Sequence, residues 1–229
     1  LAAQAPSYAA TGPGAAAKLT LAAVAAGADP TSFGGANLLE LIGASYDAQT
    51  GQYGPDVYGH ALALLAIRSV GVAPPDAAVQ RTLALQLDDG GWSFDGSADT
   101  GSDTNTTSLV IMALAPGDAA APALAEAVAY LKTQQNDDGG FPYSQSSQFG
   151  NASDANSTAA VLLALAGLGA QPDAADWTRG GNTPLTALAG FQNASGAFRY
   201  QATPPDDNAL ATYQALLALT GATLPSVVS

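Results

Sequence analysis

Residues 135–141 read Gln135-NDD-Gly139-G-Phe141, and the pattern occurs four times along the chain. The other copies are Asp47-AQT-Gly51-Q-Tyr53, Gln86-LDD-Gly90-G-Trp92 and Gln192-NAS-Gly196-A-Phe198. The spacing is constant: Gln or Asp, three residues, Gly, one residue, an aromatic. A motif repeated at intervals of tens of residues marks an array of one supersecondary unit. Each copy follows a stretch with helical apolar spacing, namely 38–46 (LLELIGASY), 79–86 (VQRTLALQ), 123–134 (ALAEAVAYLKTQ) and 184–191 (PLTALAGF).

A second helix is predicted after each loop. These stretches are 56–67 (DVYGHALALLAI), 103–114 (DTNTTSLVIMAL), 154–165 (DANSTAAVLLAL) and 208–219 (NALATYQALLAL). Counted from zero, position 0 is Asp56, Asp103, Asp154 and Asn208, and position 4 is His60, Thr107, Thr158 and Thr212. Asp or Asn before an apolar run is an N-cap that accepts backbone N–H bonds. The loop Gly permits positive φ or close backbone approach. A further helix over residues 14–26 matches the second-helix pattern, which makes five second helices and four first helices. No helix pair buries its apolar faces alone, so neighbouring pairs stack. The second helices are the more apolar and form the expected inner layer.

The composition agrees. Hydrophobic residues make up 48%, mostly Ala and Leu, which favours helix over strand. Six Lys and Arg against nineteen Asp and Glu give a formal charge of −13, which repels nucleic acid and anionic membranes. Cysteine is absent, which excludes disulfides, zinc thiolates and a thiol nucleophile. No apolar run is long enough to span a membrane. The low Lys and Arg content, the Thr, Ser, Gly and Asn content and the acidity suit an extracellular or cell-surface protein. The sequence opens on Leu1, as a processed form or a piece of a longer multidomain chain would. One domain over 1–229 is expected, with units near 7–33, 36–71, 76–115, 118–169 and 173–221.

The loop with its preceding helix resembles the QW repeat of the terpenoid-cyclase and prenyltransferase superfamily. The resemblance runs over about residues 7 to 221. It implies an all-α fold, an α/α toroid with second helices around a central cavity. It does not fix a function, because that fold hosts unrelated chemistries, among them cyclases, prenyltransferases, thioester domains and cobalamin carriers.

Each chemistry can be tested on the residues. Class II cyclases use an acidic Asp in a D-x-D-D motif. The nearest candidate is Asp103, in Ser102-Asp103-Thr104, without that spacing. Asp56 and Asp154 hold the same repeat position, which favours a capping role for Asp103 over catalysis. Prenyltransferases need zinc held partly by Cys, plus a basic cluster, and both are missing. The Asp88-Asp89, Asp137-Asp138 and Asp206-Asp207 pairs lack the third Asp of a magnesium motif. No metal and no cofactor is therefore expected.

His60 is the only His and replaces the Thr of the other copies. It is either a packed structural His or a ligand-contacting, proton-handling one. The remaining feature is the polar first turns of the second helices. Tyr58, His60, Thr107, Thr158 and Thr212, with the capping Asp56, Asp154 and Asn208, form a candidate rim for a small hydrophobic or neutral ligand. The dipoles of these helices point positive ends at that rim. The same residues also serve as caps. The leading expectation is a non-catalytic module that binds a small molecule or a partner at the cavity mouth. The alternative is an isoprenoid-processing enzyme with Asp103 as general acid.

Overall fold

A polar residue with extended backbone starts most of the second helices, and an apolar run continues each of them. The computed structural model describes residues 2–115, 120–148, 150–221, 223 and 224. The expected start of a repeat unit at residue 118 lies outside the described residues. Ten α-helices occur among the described residues: α1 (Ala5–Ala9), α2 (Pro13–Ala25), α3 (Leu38–Gly43), α4 (Val57–Ser69), α5 (Asp76–Ala84), α6 (Thr104–Leu114), α7 (Ala121–Gln134), α8 (Ala155–Gly167), α9 (Pro184–Gly190) and α10 (Ala209–Leu219). The all-α class read from the repeat is the class observed. The only paired strands among the described residues are β1 (Tyr46–Asp47) and β2 (Gln52–Tyr53), an antiparallel ribbon at the first repeat loop.

The five predicted second helices are α2, α4, α6, α8 and α10, and the four predicted first helices are α3, α5, α7 and α9. Helix α1 is an addition that the repeat did not announce. It packs on α2.

The chain forms two compact units. One consists chiefly of Leu1–Gln86 with Trp92–Thr100, the other of Leu87–Gly91 with Gly101–Thr223. In the first unit α2 packs along α4, with α3 against α2 and α5 against α4. In the second, α6, α8 and α10 lie side by side, α7 packs on α6, and α9 packs on α8. Helices α4, α6 and α8 are buried along nearly their whole length, while α5 and α7 keep a solvent face. Burial of these Ala- and Leu-rich faces is the main stabilising term.

The loop motif works through its glycine. Gly51, Gly90, Gly139 and Gly196 all have φ between +77° and +89°. A Cβ on Gly51 would lie 2.6 Å from the Ala77 carbonyl oxygen on α5. On Gly90 it would lie 2.6 Å from that of Glu126 on α7, and on Gly139 2.7 Å from that of Thr183 at the start of α9. Each of these loops therefore seats its glycine on the backbone of the next first helix, where no side chain fits. Around Gly196 a Cβ would meet nothing within 4 Å. The loop aromatics Tyr53, Trp92, Phe141 and Phe198 are all buried. The Trp92 indole N–H donates to the Thr82 carbonyl at 2.8 Å, and the Gln135 amide donates to the Trp177 carbonyl at 2.8 Å.

Candidate functional site

Four N-caps organise the starts of the second helices. Asp56 Oδ1 accepts from the Gly59 N–H at 2.6 Å, Asp103 Oδ1 from Thr106 at 2.7 Å, Asp154 Oδ1 from Ser157 at 2.7 Å, and Asn208 Oδ1 from Ala211 at 2.9 Å. Each satisfies a backbone donor that a helix start leaves unpaired. Position 4 has an equally regular task. Thr158 Oγ1 accepts from the Phe141 N–H at 3.1 Å and donates to the Asp154 carbonyl at 2.7 Å. Thr212 Oγ1 accepts from the Phe198 N–H at 2.8 Å and donates to the Asn208 carbonyl at 2.8 Å. The position-4 hydroxyl thus ties the loop aromatic to the helix that follows it. Thr107 is fully buried on α6, and its N–H donates to the Asp103 carbonyl at 3.1 Å.

His60 performs the same task with a longer reach. Its Nδ1 accepts from the Tyr53 N–H at 3.0 Å. That fixes the proton on Nε2, which lies 3.1 Å from the Ala78 carbonyl and 3.0 Å from Thr82 Oγ1 on α5. The ring is fully buried, and desolvation holds its pKa below the usual value. A neutral imidazole here joins β2, α4 and α5.

Tyr58 sits in the first turn of α4. Its ring stacks on Phe94 with centroids 6.0 Å apart, and Lys18 Nζ lies 5.5 Å from its centroid.

Phe94 belongs to a second repeated pattern. In three copies another aromatic follows the loop aromatic by two residues: Phe94 after Trp92, Tyr143 after Phe141 and Tyr200 after Phe198. The Phe94 carbonyl accepts from the Val57 N–H at 2.8 Å, that of Tyr143 from Thr104 at 2.8 Å, and that of Tyr200 from Ala155 at 2.9 Å. Each is the first residue of the preceding second helix, so the loop reaches back to cap it. All three rings are exposed. The sequence carried the signal as an aromatic at the same offset in three loops.

The copies of the acid differ. Asp154 is buried with both oxygens engaged, Oδ2 accepting from the Ser157 hydroxyl at 2.8 Å. Desolvation pushes its pKa up to about 6 against the opposing pull of its hydrogen bonds. Asp103 is equally buried and is also raised by desolvation, against the pull of the Thr106 N–H and of the Tyr143 side chain. Close to it is the buried Tyr130 hydroxyl, whose pKa is raised by burial and by the charges of Asp89 and Asp103 against the pull of Ser144.

Among the described residues no group of three or more His, Cys, Asp and Glu could hold a metal ion. No helix among them is long and apolar enough to cross a membrane. A cavity of about 430 Å³ lies between α1 and α3, lined by Pro6, Ala10, Ala36, Asn37, Glu40, Leu41 and Ala44. It contains none of the residues singled out from the sequence.

No protein-family model matches the sequence, and no curated protein does. Among solved structures the chain is similar to the ent-copalyl diphosphate synthase from Streptomyces platensis, with a TM-score of 0.44 and 18% identity over 92% of this chain. The match covers 50% of that synthase, so the chain spans about half its length.

Proposed function

We propose that this chain is a non-catalytic binding module, secreted or displayed at the cell surface, that takes a small hydrophobic or neutral ligand, or a partner, at the starts of its second helices. The exposed aromatics Tyr143 and Tyr200, both in the second unit, carry this reading. Each is fixed by its own backbone carbonyl to a helix start and presents its ring to solvent. A preordered aromatic surface costs little entropy on binding. The polar residues around it are engaged in capping and loop attachment, which leaves a scaffold rather than a set of reacting groups. The acidic, Lys-poor composition supports the location outside the cell.

The test is a titration of the protein with neutral oligosaccharides and with linear isoprenoids, followed by tyrosine fluorescence. Saturable binding of one class is expected, weakened about tenfold or more by Tyr143→Ala or Tyr200→Ala. Unaltered affinity in both variants would remove the aromatic rim from the reading.

One observation favours a second reading, an isoprenoid-processing enzyme with Asp103 as general acid. Asp103 is buried beside the Tyr143 side chain, and desolvation raises its pKa against the pull of its hydrogen bonds. Turnover of a linear isoprenoid that Asp103→Asn abolishes, with the helical circular dichroism intact, would establish the enzyme and end the non-catalytic reading.

A further inference from the structure

Position 4 of the second helices holds a hydroxyl in three copies and an imidazole in one. Thr158 and Thr212 hold the N–H of their loop aromatic and donate to their own helix. His60 holds the Tyr53 N–H through Nδ1 and reaches across to α5 through Nε2. Thr82 Oγ1 donates its own proton to the Ala78 carbonyl at 2.9 Å, so it is free to accept from Nε2. The same loop meets α5 at two more places. Gly51 lies against the Ala77 carbonyl, and Arg81 Nε donates to Gln52 Oε1 at 2.9 Å.

A seat built this way takes one protonation state. A second ring proton would sit on Nδ1 and point at the Tyr53 N–H 3.0 Å away, donor against donor. The imidazolium would also be a fully buried charge to which no described carboxylate hydrogen-bonds. The ionisable groups around it do not supply one. On α4, Asp56 is engaged with the Gly59 N–H and Arg68 lies at the far end. On the ribbon, Asp47 is engaged with Gln49 and Thr50, and Tyr46 stacks on Tyr53. On α2, Lys18 lies over Tyr58, and on α5, Asp76 is exposed at the helix start. Arg81 on α5 is the group whose charge acts on the ring, and its sign is the same. The Tyr53 ring, stacked with centroids 5.8 Å apart, offers a cation its face but gives Nδ1–H no acceptor.

We infer that His60 is an acid-released clasp: protonation of its ring detaches the loop over residues 47–53 from α4 and α5, while the loops held by Thr158 and Thr212 stay closed. Burial holds the pKa of the ring below the usual 6.5, so the folded protein binds this proton less tightly than the unfolded chain. The stabilisation from the clasp is therefore fully present above 6.5 and is lost as pH falls through the lower folded value. Asp103 and Asp154, both in the second unit, run the opposite way, since burial raises their pKa values. A melting curve of the whole chain adds these opposed effects together, so the clasp has to be read locally.

The chain has one His, so an NMR titration of the imidazole reports His60 alone. The experiment follows that signal, and the hydrogen exchange of three amides, from about pH 7.5 to about pH 4. At the upper end Nδ1 should be bare and Nε2 protonated. Protection of the Tyr53 amide, corrected for the intrinsic pH dependence of exchange, should fall about tenfold or more in step with protonation of His60. Protection of the Phe141 and Phe198 amides, which Thr158 and Thr212 hold, should not follow it. His60→Thr restores the residue of the other copies and should make Tyr53 protection independent of pH. Should that variant not fold, His60→Asn sets an amide oxygen in the place of Nδ1 and should do the same. An imidazole that titrates at the usual value while the Tyr53 amide stays protected would overturn the inference. So would a loss of Tyr53 protection that persists in the variant, or one that Phe141 and Phe198 share. None of these readouts depends on Tyr143 or Tyr200, so the ligand reading stands or falls separately.

Discussion

Helices α8 and α10 begin alike and end up in different surroundings. Both start with an N-cap, both carry a Thr that accepts from the loop aromatic, and both run on in Ala and Leu. Helix α8 has neighbours on both sides, α6 and α10, whereas among the elements packed most closely α10 has α8 alone. The loop before α8 seats Gly139 on the start of α9, and the loop before α10 leaves Gly196 in open space. The difference teaches that the motif carries two separable functions. Attachment of the loop to its own helix is made in both copies, while attachment to a following first helix is made by Gly139 and not by Gly196.

Alanine at the two glycines should give the widest separation. Gly139→Ala places a Cβ against backbone atoms of Asn182 and Thr183 at a positive φ, and should cost on the order of 4 kcal/mol in urea unfolding. Gly196→Ala meets only the strain of its φ, about 1 kcal/mol. Equal costs would break the comparison. Next come the register partners Leu162 and Leu216. Leu162→Ala empties a buried site and should cost about 2–3 kcal/mol. Leu216→Ala should cost less than about 1 kcal/mol, because the side chain is exposed.

A small effect, seen through pH, concerns the caps. The pKa of Asp154 is higher folded than unfolded, so the native state binds its proton more tightly. Its contribution is fully present below the unfolded value of 3.8 and is lost as pH rises through about 6. Asp154→Asn keeps a capping oxygen, as Asn208 does natively, and removes the charge. It should flatten this pH dependence and raise stability at neutral pH by about 1 kcal/mol. Thermal midpoints that fall with pH equally in wild type and variant would assign the dependence to other groups.

Much of this was legible in the sequence because it is written in side chains. The loop glycines, the four capping residues and the five apolar second helices follow from residue type and spacing. Helix α1 did not, because its APSYA stretch has no copy to compare with. The split role of His60 was open for a different reason. Its Nε2 partners, Ala78 and Thr82, lie on α5, and only the packing of α5 against α4 brings them within reach. The backward caps of Phe94, Tyr143 and Tyr200 were missed because carbonyl oxygens make them, and a carbonyl leaves no mark on residue identity. The surroundings of Asp103 were hidden for the same reason as those of His60, since Tyr143 and Tyr130 reach it only through packing.

The loop at 135–143 is therefore held at both ends by main-chain atoms, with Gly139 resting on a backbone forward and the Tyr143 carbonyl capping α6 backward. A joint of that kind is indifferent to most substitutions and intolerant of changes in length. One residue inserted between Gly139 and Tyr143 would throw both contacts out of register together. The array thus tolerates changes of side chain more readily than changes of length.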